Sequence, residues 1–506
     1  MMKKSTGAIS AIDAISANRK MPMNQNVAPL AAAMKAYAAS GAIAFHTPGH
    51  KQGLGAHPML KNLITDEGLS EEVSIMYELD DPFHPTGCIK EAEALAAELY
   101  GADGAQFMVN GTTGAIHAMM LAALHDGDAV IVPRNAHRSI FAGLVLTGAV
   151  PVYVAPVFDE RVGAMMGMTT KSVAEAAGRH GDARAVVAVY PTYYGVTYDL
   201  EGIAEIAHAH DMALLVDEAH GAHLKFSRKL PDDALALGAD LVAMSTHKLL
   251  GSMTQTSMLM RRGERISRED VRRASAIVAS TSPNYLLMAS LDIARYQMAT
   301  EGEARVERTV KLSNWARDEI NKIKGLWCFG ARDIERDGVT GLDVAKLTVQ
   351  TIGLGYGGAE AEKILRREYG FECELCDAYN VMFIISMADT EEIVTKLVDG
   401  LRDFAARFGR EPMKRLRASM PPMITMRMTP REAYFAPRER IALDDAVGRV
   451  SAEEVAFYPP GIPAIVPGEE ITRDVIEYLR TMAARGLHVS GIDDTTLETI
   501  KVIKQE

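Results

Sequence analysis

The chain has 506 residues, 48% of them hydrophobic and 24% charged, so it can bury a large core and is expected to divide into more than one domain. Its 54 Lys and Arg against 66 Asp and Glu leave a formal charge of −12, which argues against nucleic acid as a partner and favours a cationic small molecule. Four scattered cysteines, Cys88, Cys328, Cys373 and Cys376, make no disulfide framework and point to a reducing cytoplasm; no run nears the ~20 apolar residues of a membrane span, and Asp13 interrupts the only candidate export signal.

Residues 1 to about 27 read as a loose extension, followed by a helix over Pro29 to Ala39. In FHTPGHKQG, Phe45 to Gly53, His46 and His50 stand four apart as helical metal ligands do, but Pro48 and Gly49 break the helix that would pair them. This is a shaped loop, and no metal is expected. Cys373 and Cys376 form a CxxC, yet no second ligand pair accompanies it. A turn-rich stretch, Glu78 to Gly87, precedes helical spacing at Ile89, Ala92, Leu95 and Leu99.

From Ala105 to about Arg262 apolar runs at Gln106–Val109, Ala129–Val132, Val150–Ala155, Ala185–Tyr190, Ala213–Val216 and Asp240–Met244 alternate with helical segments. The pattern is that of an α/β domain, a large mostly parallel sheet wrapped by helices. A helix from Ser290 to about Lys324 then leads to a smaller α+β C-terminal domain. The expected boundaries are an extension and arm over 1–43, a large domain over 44–325 and a small domain over 326–506.

In such sheets ligands bind beyond the carboxyl ends of the strands, so the residues after each run matter most. NGTTGA, Asn110 to Ala115, is a small-residue turn opening a helix, suited to a phosphate. PRNAHRS brings His137 and Ser139 to a helix start, and DEAHGAH brings Asp217 as the first charge after Leu214-Leu215-Val216. Ser245, Thr246, His247 and Lys248 follow the unalternating run Leu241-Val242-Ala243-Met244, which predicts a strand buried on both faces and a lysine whose burial favours the neutral, nucleophilic amine. Each piece has a plain structural alternative: Asp217 a helix cap, His137 a core histidine, Asn110 to Gly114 a tight turn. Together, an anion cradle, an imidazole, a buried carboxylate and a buried lysine on one sheet edge are what pyridoxal phosphate requires. The lysine holds the aldehyde as a Schiff base and the carboxylate keeps the pyridine nitrogen protonated.

The segments FHTPGHK, DDPFHPTGCIKEAEALAAELYGA, VNGTTGAIHAM, PRNAHRS, VDEAHGAH, STHKLLGSMTQTS and YPPGIPAIVPGE resemble the ornithine, lysine and arginine decarboxylases of the aspartate-aminotransferase-like fold, from about Ala44 to the C-terminus. The chain is most similar to the short bacterial members, which lack an N-terminal receiver-like domain. The resemblance implies a cytoplasmic, pyridoxal-phosphate-dependent decarboxylase in polyamine synthesis and a homodimer with FHTPGHK and DDPFHP near the subunit boundary. It implies Lys248 as the Schiff-base lysine, Asp217 on the pyridine nitrogen, His137 stacked on the ring, and Thr112, Thr113, Ser245 and His247 around the phosphate. Gly114 stands where long members carry a hydroxyl, so a backbone contact is expected there, and His220 stands where they carry a tryptophan, beside the cofactor or substrate. Glu469 matches an acidic position on the substrate side and is the candidate for the distal cation; an ordinary helix N-terminal carboxylate is the alternative. Arginine is the expected substrate, with lysine or ornithine as alternatives. Two rival activities remain: an aminotransferase of the same fold, and a nicotinamide oxidoreductase using Gly353, Gly355 and Gly358 as GxGxxG with Glu372 or Glu374 on the ribose.

Overall fold

A computed structural model describes residues 22–336, 338–415, 424–457 and 461–505. The expected six runs form strands: β1 (Gly104–Met108), β2 (Ala129–Pro133), β3 (Val150–Val154), β4 (Ala185–Val189), β5 (Ala213–Asp217) and β6 (Leu241–Met244). A seventh, β7 (Ser257–Arg261), was not anticipated; it runs antiparallel between β1 and β6 and gives the order β1-β7-β6-β5-β4-β2-β3. All other pairings in the sheet are parallel.

Both faces of this sheet are covered. On β5 and β6, Leu214, Val216, Val242 and Met244 enter one core cluster while Ala213, Leu215, Leu241 and Ala243 enter another. Adjacent strand residues point to opposite faces, so unbroken apolar runs are what a doubly covered sheet demands. Register then sets the active edge: Val189 pairs with Asp217, Asp217 with Ala243, Met244 with Met258 and Met108 with Ser257. The segments after β1, β4, β5 and β6 therefore emerge side by side with the start of β7.

Helices α1 (Pro29–Ala39), α2 (Cys88–Tyr100), α3 (Gly111–Ala123) and α4 (Arg138–Thr147) follow the sequence pattern. Residues 1–21 of the expected extension lie outside the described residues. Within 22–27, the Gln25 amide reaches Leu95 O at 3.1 Å, and Arg295, fully buried, binds the carbonyls of Gln25 and Val27. The loop Phe45 to Gly53 has no helix, and His50 Nε2 meets Glu72 at 2.7 Å. Phe45 and Tyr77, in or near the two loops expected at a subunit boundary, are 92% and 99% exposed.

The long helix α5 runs Tyr285–Ile320, starting earlier than its expected Ser290 because the Asn284 side chain caps it, accepting from Leu287 N at 2.9 Å. A four-stranded antiparallel sheet follows, of β8 (Trp327–Cys328), β9 (Lys346–Gln350), β10 (Leu375–Cys376) and β11 (Asn380–Ile384), in the order β8-β9-β11-β10. The glycines read as GxGxxG precede and open α6 (Gly358–Tyr369), but the chain's own backbone fills the turn. A Cβ on Gly353 would lie 2.5 Å from Gly325 O, and one on Gly358 2.0 Å from Asn380 O. Close backbone packing accounts for these glycines without a pyrophosphate. Beyond, Val455–Phe457, Ile462–Ile465 and Val489–Ser490 form a small sheet around a separate core that includes Leu479 and Ile465. Tyr458 to Pro460, the first residues of the proline-rich segment, lie outside the described residues. No helix among the described residues is long and apolar enough to cross a membrane.

Candidate active site

A cavity of about 570 Å³ opens at the carboxyl edge of the large sheet, lined by Thr112, Thr113, His137, Asp217, His220, Ser245, His247 and Lys248. The sequence separates these residues by more than 130 positions; the parallel order of the strands brings them together.

Ser245 to Lys248 leave β6 at its carboxyl end, and Thr246–Leu249 forms a single helical turn from which Lys248 lines the cavity. Burial lowers the Lys248 pKa, with Asp217 and Glu374 opposing. Asp217, the last residue of β5, is 4% exposed, and its carboxyl pKa is raised by burial against the Lys248 charge and the Ala219 amide. That amide, 3.1 Å from Oδ1, is the one hydrogen bond its carboxylate accepts among the described residues. A carboxylate walled off from water, facing a cavity and short of donors suits a protonated ring nitrogen.

His137 caps α4, with Nδ1 2.8 Å from Ser139 Oγ. Burial, with lesser contributions from the charges of Lys248 and Arg138, pushes its pKa down to about 4, so the ring is a neutral, clamped plane on the cavity wall. Thr112 Oγ1 lies 2.5 Å from Ser245 Oγ and 3.0 Å from Ser257 Oγ, which in turn donates to Met244 O at 2.7 Å. This hydroxyl cluster sits at the amide-rich start of α3, the arrangement that receives an anion. His247, which also lines the cavity, has Nδ1 2.7 Å from Thr256 O, a contact that fixes its ring. These residues fit pyridoxal phosphate: an amine, a buried carboxylate, a flat neutral ring and a hydroxyl-lined anion site bound one cavity.

Two expectations need correction. Gly114 does not line the cavity; its amide is 3.3 Å from Asn110 O within the first turn of α3, and a Cβ there would lie 2.1 Å from Asn110 Oδ1. The glycine makes room for Asn110 and offers no free amide to a phosphate. Glu469 is likewise absent from the wall. Its carboxylate, 1% exposed, receives Arg134 Nε at 2.9 Å, Arg134 Nη2 at 2.8 Å and the Val466 amide at 2.9 Å. A bidentate buried pair of this kind is closed to a substrate cation. Arg134→Met, which strands the Glu469 charge, is expected to lower the unfolding free energy by about 3–5 kcal/mol. Chemical denaturation checks this, and a loss below about 1 kcal/mol would show the pair to be dispensable.

Five further residues stand on or near the wall. Tyr193 and Tyr194, after β4, reach the small sheet: their hydroxyls donate to Glu374 Oε1 at 2.6 Å and Asp377 Oδ2 at 2.7 Å. Glu374 and Asp377 thus supply the carboxylates on that wall. Asp377 also accepts from the Tyr379 and Asn380 amides at 2.7 and 2.8 Å, whereas Glu374 is less committed. The fifth is Lys346, the buried first residue of β9, whose amine is 2.7 Å from Nδ1 of His220. Nothing in the local sequence marks either acid as facing Lys248. Among the described residues no group of His, Cys, Asp and Glu could hold a metal ion.

Comparison with known proteins places the chain. Residues 28–347 match the family model described as Orn/Lys/Arg decarboxylase, major domain, and residues 413–499 match that of the Orn/Lys/Arg decarboxylase C-terminal domain. An arginine decarboxylase of Bacillus subtilis is 40% identical over 486 residues, 96% of this chain and 99% of that protein. One of Halalkalibacterium halodurans is 41% identical over 95% of this chain and 98% of that protein. The lysine decarboxylase of Francisella novicida superposes with a TM-score of 0.83 at 21% identity, over 95% of this chain and 81% of its own, and so shares the fold. With its fold and most of its length accounted for by these matches, the chain belongs to the Orn/Lys/Arg decarboxylase family.

Proposed function

We propose that this protein removes the α-carboxylate of a basic L-amino acid, arginine before lysine or ornithine, with pyridoxal 5'-phosphate as cofactor. The observation that carries the reading is Lys248 and Asp217 facing one cavity from the ends of adjacent strands, the amine biased toward its neutral form and the carboxylate shielded from water. When bound, pyridoxal phosphate supplies an aldehyde that an amine can capture and a protonated pyridine that accepts an electron pair. Lys248 is the capturing amine. Asp217 would hold the proton on the pyridine nitrogen, so that the group can accept the electron pair left when carbon dioxide departs. His137 would present its neutral face to the ring, and Thr112, Thr113, Ser245 and His247 would receive the phosphate with the start of α3. The substrate loses carbon dioxide and gains a proton at Cα, so each turnover takes up one proton. Lys248 and His220, linked at 3.0 Å, are the cavity groups that deliver it.

Arginine is favoured because relatives near 40% identity over almost the whole chain are named arginine decarboxylases. With Glu469 committed to Arg134, the distal guanidinium is assigned to Glu374, on the wall opposite the large sheet. The test is an assay of the purified chain with added pyridoxal phosphate, reading visible absorbance and then carbon dioxide release from arginine, lysine and ornithine separately. A bound-cofactor band with release from arginine is expected. A band with no release from any of the three would sink the decarboxylase and turn the reading toward transamination.

A further inference from the structure

His220 lies between two lysine amines. Its Nε2 is 3.0 Å from Lys248 Nζ and its Nδ1 is 2.7 Å from Lys346 Nζ. Lys346 is 1% exposed, and among the described residues its amine forms no ion pair.

The hydrogen bonds restrict how many protons the three groups carry. An ammonium has three donors and no lone pair, and a neutral imidazole has one N–H and one acceptor nitrogen. The ring nitrogen bearing hydrogen therefore needs an amine with a lone pair; an imidazolium needs two. With both bonds made, at least one lysine is the free base, and the trio carries at most one excess proton. Two ammonium groups on either side of this ring are forbidden by geometry alone.

The surroundings decide which amine is charged. His220 is faced by Lys346, Lys248, His137, His223 and the Tyr193 ring, whose centroid is 4.4 Å away; none is anionic at neutral pH. Beside Lys346 stands Asp343, fully buried, with Oδ1 3.1 Å from His223 Nε2 and 3.0 Å from the Ala345 amide, and with Oδ2 lacking any hydrogen bond. Glu374 acts on both lysines. Lys248 has in addition Asp217, which the proposed function commits to the cofactor, and the Tyr193 ring at 5.9 Å. Asp343 is thus the carboxylate left over for a lysine charge, and it stands by Lys346. Burial still pushes Lys346 down to about 8, which keeps its proton exchangeable near neutrality.

We propose that Lys346 is a positioning residue acting through His220: it takes the one excess proton that the three groups share and leaves Lys248 as the free amine. The proposal rests on the role assigned to Lys248 above, although the proton count does not.

The test labels the full chain, freed of carbonyl ligands, with formaldehyde and a borane reductant from about pH 6 to about pH 11, and reads modification of Lys248 by peptide mass spectrometry. In the wild type the labelling midpoint is expected well below the ordinary lysine value of about 10.4. Lys346→Met removes the second amine, frees His220 to accept from a Lys248 ammonium, and is expected to raise the midpoint by about one pH unit or more, a roughly tenfold loss of reactive amine at neutral pH. Lys346→Arg keeps a permanent donor on Nδ1, forces the ring proton onto Nε2 and is expected to keep the midpoint low, a rescue that simple filling of space does not explain. His220→Phe cuts the link from the other side and raises the midpoint too, which covers the case in which Lys346→Met does not fold. An ordinary midpoint in the wild type, or an unchanged one in a folded Lys346→Met, overturns the proposal; where Lys346→Met does not fold, an unchanged midpoint in His220→Phe overturns it. A low wild-type midpoint without carbon dioxide release would retire the decarboxylase and keep the relay; normal release with an ordinary midpoint would do the reverse.

Discussion

Lys248→Ala is expected to abolish carbon dioxide release while the fold survives. Covalent capture of an aldehyde by an amine has no substitute on the cavity wall. Lys346 is the other amine nearby, but it is buried behind His220 and does not line the cavity. Activity is therefore expected to fall by a factor on the order of 10⁴ or more, the scale seen when a nucleophile is deleted and only binding and polar stabilisation remain. The visible band that follows addition of pyridoxal phosphate should vanish with it. Stability should move the other way. Burial lowers the Lys248 pKa, so at neutral pH the unfolded chain binds a proton there more tightly than the folded chain does. That difference works against folding below the unfolded pKa and fades only as pH rises through it. Removing the amine relieves the cost, and the thermal midpoint of Lys248→Ala is expected at or above that of the wild type. Retained product formation would remove Lys248 from its assigned place; loss of both activity and the folded state would leave the loss without a chemical meaning.

Much of this arrangement is legible in the sequence because parallel sheets leave a strong trace. Leu241 to Met244 and Ala213 to Val216 have no polar alternation since each lies under two layers. The residues after such strands point at a shared edge, and the pattern alone places Asp217 and Lys248 there. What escaped detection depends on pairing at long range. Ser257–Arg261 is a short run hemmed by turns, and only its insertion between β1 and β6 makes it a strand. Glu374 and Lys346 come from the small sheet, more than 90 residues beyond Lys248, and reach the cavity or its histidine through a domain contact with no local signature. The reading of Glu469 failed for the same reason. Its neutralising partner, Arg134, lies 335 positions earlier, so the carboxylate looked free. Gly114 misled differently: a glycine in a phosphate-binding turn suggested an exposed amide, whereas the Asn110 side chain occupies the space that a Cβ would need.

Asp217 carries the second large expectation, and here the contrast between two variants is informative. Asp217→Ala removes the carboxylate and Asp217→Asn keeps its shape while removing its charge. Neither should stop the cofactor from binding, because Thr112, Ser245 and Lys248 approach the cavity from other elements. Both should cripple the reaction. One preorganised polar partner at the site of developing charge is worth about 10²–10³ in rate, and a full charge buried at 4% exposure belongs at the upper end of that range or beyond it. Equal losses in the two variants, at least about a hundredfold with the cofactor band retained, would tie the effect to charge. If Asp217→Asn stays near wild type while Asp217→Ala fails, Asp217 acts by filling space and ordering the turn at Ala219, whose amide it binds at 3.1 Å. The pH dependence separates these cases again. Burial raises the Asp217 pKa, and the nearby Lys248 charge and the Ala219 amide oppose that rise. The positive ring nitrogen opposes that rise as well once the cofactor is bound, so if the charge is what matters the acid decline of wild-type activity lies below the raised value of the empty site, and it is absent from whatever activity Asp217→Asn retains.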